Sequence, residues 1–80
     1  MAYYTYILYS ESLGKYYTGH TEDLQNRLLQ HNSHRGVFTS RAADWVIVYQ
    51  KAFDKRAEAA SHENSIKKRG TRRFLDAVKG

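Results

Sequence analysis

Two tyrosine-rich segments, Tyr4-Thr5-Tyr6 and Tyr16-Tyr17-Thr18-Gly19, are followed closely by Arg27 and His31. An exposed phenol ionises only near about pH 10, so a tyrosine acting as a base needs a cation beside it. Arg27 or a metal ion could supply that cation, and the guanidinium fork also presents two parallel donors to phosphoryl oxygens. His31 could pass a proton near neutral pH or contact a phosphate when protonated. Farther along, helical periodicity puts Glu63 on the stripe its helix turns toward the rest of the fold. A carboxylate there is paired, neutralised or holding a cation. The chemistry these groups suit is hydrolysis of a phosphodiester, with one Mg²⁺ or Mn²⁺ on Glu63 and waters neutralising charge at the leaving oxygen.

Each of these residues also has a plainer structural reading. A tyrosine packs its ring while keeping its hydroxyl wet, which suits a thin domain holding seven of them. Arg27 could pair with Asp23 one turn earlier, and Glu63 could bridge to Arg27 or to a lysine. His20, His34 and His62 lack the spacing of a metal site. Tyr6 and Tyr17 are harder to dismiss together, because adjacent paired strands would bring two hydroxyls to one groove.

These side chains need elements to position them. Residues 3–9 are rich in β-formers and apolar on both faces, which predicts a strand buried on both sides. Residues 11–15 read as a hairpin loop and residues 15–19 as the return strand. Thr21 is the expected N-cap of a helix running to about Asn32, with Leu24 and Leu28 in the core and Asp23, Arg27 and His31 on a polar stripe beside them. Residues 33–36 break the helical pattern, and residues 37–43 fit a loop or a short helical turn equally well. The run from Trp45 to Phe53 is the most strongly apolar strand and predicts burial on both faces, central or beneath helices. Asp54 is the expected cap of a helix over residues 55–69. After Gly70, Thr71 is the expected cap of a short helix packing through Phe74, Leu75 and Val78. The order β-β-α-β-α-α predicts an α+β fold, a small three-stranded antiparallel sheet flanked by helices, with residues 1–80 forming one domain.

The composition narrows the function classes. A chain of 80 residues buries only about 60% of its unfolded surface, which leaves a shallow groove rather than a deep cavity for a small-molecule cofactor. The absence of cysteine excludes a disulfide framework and a thiolate zinc site. The N-terminus has neither the basic leader of a signal peptide nor a run long enough to span a membrane, so a cytoplasmic location is expected. The net charge of +5 is concentrated: residues 1–63 carry seven basic and seven acidic side chains, whereas residues 64–80 carry six basic ones against Asp76 alone. Lys67, Lys68, Arg72 and Arg73, joined by Arg35, are therefore the expected nucleic-acid contacts, attracting a polyanion by counterion release with little sequence preference. Ordinary solvated helix faces would look similar in the sequence.

The arrangement resembles the GIY-YIG nuclease family. Tyr4-Thr5-Tyr6 stands at the family's first tripeptide, without its glycine and isoleucine, and Tyr17-Thr18-Gly19 at its second. Arg27 falls at the helix arginine with His31 one turn on, and Glu63 stands at the metal-binding glutamate. Nearly the whole chain is covered, and the likeness is to small stand-alone members similar to the nuclease domain of the excision-repair incision subunit. The resemblance implies that Tyr17 or Tyr6 activates the attacking water, Arg27 stabilises the pentavalent transition state, His31 assists with protons or phosphate, and Glu63 holds one divalent metal. It implies a metal-dependent DNA endonuclease of repair or recombination, for which a protein partner supplying specificity is expected. The alternative is a module that keeps the fold and the basic surface, binds nucleic acid and does not cleave.

Overall fold

The computed structural model describes residues 2–32 and 43–79. Its elements are β1 (Tyr3–Ser10), β2 (Lys15–Thr21), α1 (Leu24–Asn32), β3 (Val46–Phe53), α2 (Arg56–Arg69) and α3 (Thr71–Lys79), the order expected from the sequence. They form a three-stranded antiparallel sheet in the order β2-β1-β3. Residues 33–42, including Arg35, lie outside the described residues. Among the described residues, no helix is long and apolar enough to cross a membrane.

β1 is central, and its two apolar faces explain why. Tyr6 and Leu8 pack with Leu24 of α1 and with Trp45 on one face, while Ile7 packs with Ile66 of α2 and Leu75 of α3 on the other. A strand apolar on both faces loses contact with water only when it is covered on both faces and paired along both edges. The sheet therefore separates α1 from α2 and α3.

β3 corrects one expectation. Its apolar run suggested a central strand, yet it lies at the sheet edge with Val46 and Val48 exposed. The strand also carries a β-bulge: Leu8 pairs with Ile47 and Ile7 with Tyr49, which leaves Val48 as the extra residue. Without the bulge, Ile47 and Tyr49 would share a face. With it, Ile47 packs beside Tyr6 and Leu8, and Tyr49 packs beside Ile7.

Three helix starts also differ from the sequence reading. Asp23, not Thr21, caps α1, its Oδ1 accepting from the Asn26 N–H at 3.1 Å while the Thr21 hydroxyl accepts from the Asp23 N–H at 3.1 Å. Asp23 thus serves the helix end rather than a stripe shared with Arg27. Lys55, not Asp54, caps α2, and the Glu58 carboxylate accepts from the Lys55 N–H at 3.2 Å. Gly70, at φ 98°, donates to the Ile66 carbonyl and accepts from the Phe74 N–H, so it ends α2 and begins α3. Thr71 is instead the first residue of α3, its hydroxyl 2.9 Å from that of Thr18.

Side-chain hydrogen bonds close the frame. Asn32 accepts from the Trp45 N–H at 2.8 Å and donates to its carbonyl at 3.1 Å, tying the end of α1 to the start of β3. Asp44 accepts from the Ser10 hydroxyl at 2.6 Å and the Ser12 N–H at 2.9 Å, tying the hairpin to the same point. These donors favour the ionised form, and the Asp44 carboxyl lies below its usual range.

Candidate functional site at the edge of the second strand

The site is organised around Gly19 on the outer strand β2. In the β1–β2 register Gly19 lies opposite Tyr6, whose ring crosses the space a side chain would fill. A Cβ at Gly19 would stand 2.7 Å from the Tyr6 hydroxyl and 2.9 Å from its Cζ. Only a residue without Cβ lets the phenol pass.

The Tyr6 hydroxyl then reaches Nε2 of His31 at 3.1 Å, in a buried contact. Tyr17 points to the same face, since strand side chains alternate and it stands two residues before Gly19. Its ring centroid lies 6.3 Å from that of Tyr6 and 4.8 Å from that of His31. Tyr6, Tyr17 and His31 are thus brought together from three elements.

Arg27, exposed and one turn before His31 on α1, acts on this cluster through its charge. Burial pushes the Tyr6 phenol far above the ordinary tyrosine range and Tyr17 adds to the rise; Arg27 draws it back and Glu63 opposes Arg27. Tyr6 is therefore a neutral phenol across the neutral pH range. Burial also lowers His31, and Arg27 lowers it further, so its imidazole is neutral there as well.

Glu63 stands on α2, on the other face of the sheet, against the same strand. Its Oε1 is 2.6 Å from Nδ1 of His20, and its Oε2 accepts from Lys67 Nζ at 2.6 Å. Burial alone would raise this carboxyl, but the Lys67 and His20 contacts outweigh it and the net shift is downward. Of the alternatives open at Glu63, a bridge to a lysine is present. Its charge still acts on Tyr6, so the acid and the phenol sense one another across the sheet.

A groove of about 320 Å³ runs along the exposed side of β2 and joins the two faces. Tyr17 lines it from the α1 face, and Thr18, Lys67 and Thr71 line it from the other. Arg27 lines a separate hollow of about 160 Å³ with Asn26 and Arg56 among its neighbours. Lys68, Arg72 and Arg73 are exposed where α2 meets α3, close in the chain to the groove residues Lys67 and Thr71.

Among the described residues, no group of three or more histidine, cysteine or acidic side chains could hold a metal ion. A lone carboxylate nevertheless suits a hard divalent cation that keeps most of its waters and takes further oxygens from a substrate phosphate. Both oxygens of Glu63 already face nitrogen groups, and the Lys67 ammonium on Oε2 marks a place where the fold puts positive charge. The sequence reading missed His20 as a partner of Glu63, because that contact depends on how α2 docks on β2. The Lys67 contact had a visible signal in the i, i+4 spacing.

The GIY-YIG catalytic domain matches residues 2–74 of the chain. UPF0213 protein SSP2268 of Staphylococcus saprophyticus is 35% identical over 66 residues, covering 81% of this chain and 79% of that protein. UPF0213 protein SpyM50708 of Streptococcus pyogenes is 40% identical over 57 residues, covering 70% of this chain and 62% of that one. Among solved structures, the solution NMR structure of UPF0213 protein BH0048 from Bacillus halodurans is similar, with a TM-score of 0.60 and 31% identity over 99% of this chain and 84% of that one.

Proposed function

The chain belongs to the GIY-YIG family, and from that premise we propose that it is a metal-dependent endonuclease hydrolysing phosphodiester bonds in DNA. The observation that carries the reading is the groove along β2, which has Tyr17 on one wall and Lys67, the partner of Glu63, on the other. A phosphodiester lying there meets groups from both faces of the sheet.

In this reading Tyr17, the groove-lining phenol, orients and activates the attacking water. Tyr6 is buried and held protonated, so it serves His31 as a hydrogen-bonding partner rather than as a base. His31, neutral at physiological pH, takes a proton from the water or a neighbouring hydroxyl. Arg27 stabilises the negative charge that builds on the phosphoryl oxygens. Glu63 is the residue that would hold one Mg²⁺ or Mn²⁺, and such an ion neutralises charge at the leaving oxygen when bound. Lys68, Arg72 and Arg73 guide the DNA backbone toward the groove, and Arg35 is a further candidate for a phosphate contact.

The substrate is taken to be structured or damaged DNA, in repair or recombination within the cytoplasm, with a partner protein supplying specificity. A second reading, a module that binds nucleic acid without cutting it, is favoured by one observation, the lysine on the Glu63 oxygen. Nicking of supercoiled plasmid in Mg²⁺ or Mn²⁺ separates the two. The endonuclease reading requires nicking by the wild type and its loss in Glu63→Ala. Salt-sensitive DNA binding with no nicking in any divalent metal would leave the binding module.

A further inference from the structure

Lys67 departs from the role its place in a basic run suggests. It is the fourth residue after Glu63 on α2, and its ammonium rests 2.6 Å from Oε2. It also lines the groove that Tyr17 enters from the far side of the sheet. The pair is unequal: the Lys67 side chain is 53% exposed, whereas that of Glu63 is 14% exposed and fixed at its other oxygen by His20. The lysine is free to swing and the carboxylate is not.

An exposed i, i+4 ion pair is a weak contact that a stronger partner displaces readily. A phosphate in the groove is such a partner, because an ammonium on a flexible stem binds phosphate as a point charge. Lys68, Arg72 and Arg73 add to the local attraction for a polyanion.

We infer that Lys67 occupies the cation position of Glu63 in the absence of substrate and transfers to the DNA phosphate when substrate enters the groove, freeing Oε2 for the divalent metal. Lys67 is thus a positioning residue that couples DNA binding to metal binding. The coupling is reciprocal by linkage: DNA raises the affinity for metal, and metal raises the affinity for DNA. The protein without DNA keeps its carboxylate neutralised and holds metal weakly. The inference rests on the endonuclease reading, since it takes Glu63 as the metal ligand.

The test is an electron paramagnetic resonance titration with Mn²⁺, with and without a short phosphorothioate-linked DNA duplex, subtracting Mn²⁺ held by the duplex alone. For the wild type, DNA should tighten Mn²⁺ binding by about tenfold, a typical size for coupling between sites. Lys67→Met should bind Mn²⁺ about as tightly without DNA as the wild type does with it, and gain little from DNA. Lys51→Met, which removes the same charge from β3 at the opposite edge of the sheet, should behave as the wild type. Equal Mn²⁺ affinity in wild type and Lys67→Met, with the effect of DNA intact in both, would overturn the role given to Lys67 and leave the nicking activity untouched. Mn²⁺ binding unchanged by Glu63→Gln would remove the metal ligand itself, and with it both this inference and the metal-dependent reading.

Discussion

The Tyr6 hydroxyl and Nε2 of His31 lie 3.1 Å apart, joining the central strand to α1 inside the buried layer between them. This contact fixes the orientation of both rings and so sets the wall against which Tyr17 packs at a tilt. Removing the Tyr6 hydroxyl costs the net value of one hydrogen bond in a nearly dry environment. Tyr6→Phe should therefore lower stability by about 1 kcal/mol, measured by urea denaturation. Stability equal to the wild type would mean that the contact contributes nothing in solution.

Gly19 meets the same phenol from β2. Adding one methyl places a Cβ 2.7 Å from the Tyr6 hydroxyl, 2.9 Å from Cζ and 3.2 Å from a Tyr17 ring carbon. Tyr6 is 2% exposed and has nowhere to move. Gly19→Ala should cost about 1–3 kcal/mol as an overpacked site. In a Tyr6→Phe background the cost should shrink, because the nearest contact has gone. An equal cost in both backgrounds would locate the strain elsewhere.

Stability should fall on mild acidification. His31 and His62 are both held below the ordinary histidine value, His31 by burial and Arg27, His62 by burial and Lys51. A group depressed on folding takes up its proton more readily in the unfolded chain. Its contribution is therefore intact above about pH 6.5 and is lost as the pH falls through the folded value. The lowered carboxyls of Glu63 and Asp44 add a second loss below about pH 4.5. Thermal midpoints measured between pH 8 and pH 4 should decline from about 6.5 downward, and His31→Gln should flatten the first part of the slope. A flat profile across that first range would contradict histidines held neutral by the fold.

Arg27 is exposed and Tyr17 half-buried at the groove, so neither should matter greatly to folding. Arg27→Ala and Tyr17→Phe should abolish nicking while changing stability by no more than about 1 kcal/mol. Unfolding of either variant at room temperature would assign the residue to structure instead.

Much of the fold was legible because its signals are local. The doubly apolar pattern of residues 3–9 marked β1 as buried on both faces, and the hairpin and helix order followed from turn residues and periodicity. The errors came where tertiary context overrides pattern. The run into β3 reads as a central strand because a bulge at Val48 and an edge position leave no trace in hydropathy. Thr21 lost the capping role to Asp23, an equally suitable cap two positions on, while Asp54 and Thr71 lost it to Lys55 and Gly70, where backbone geometry rather than residue preference decides. At the site, Arg27, His31 and the two tyrosines stood out by type and spacing. The deep burial of Tyr6, the crossing of its ring over Gly19 and the clasp of His20 on Glu63 depend on the docking of distant elements.

The central claim is that groups on the two faces of the β2 edge act as one site. Residues serving a single transition state give losses that do not multiply, whereas independent residues give losses that do. The direct measurement is the single-turnover nicking rate of Tyr17→Phe, Glu63→Ala and the double variant. The expected result is a double variant no slower than the slower single one. A double variant whose loss equals the product of the two single losses would contradict a shared site.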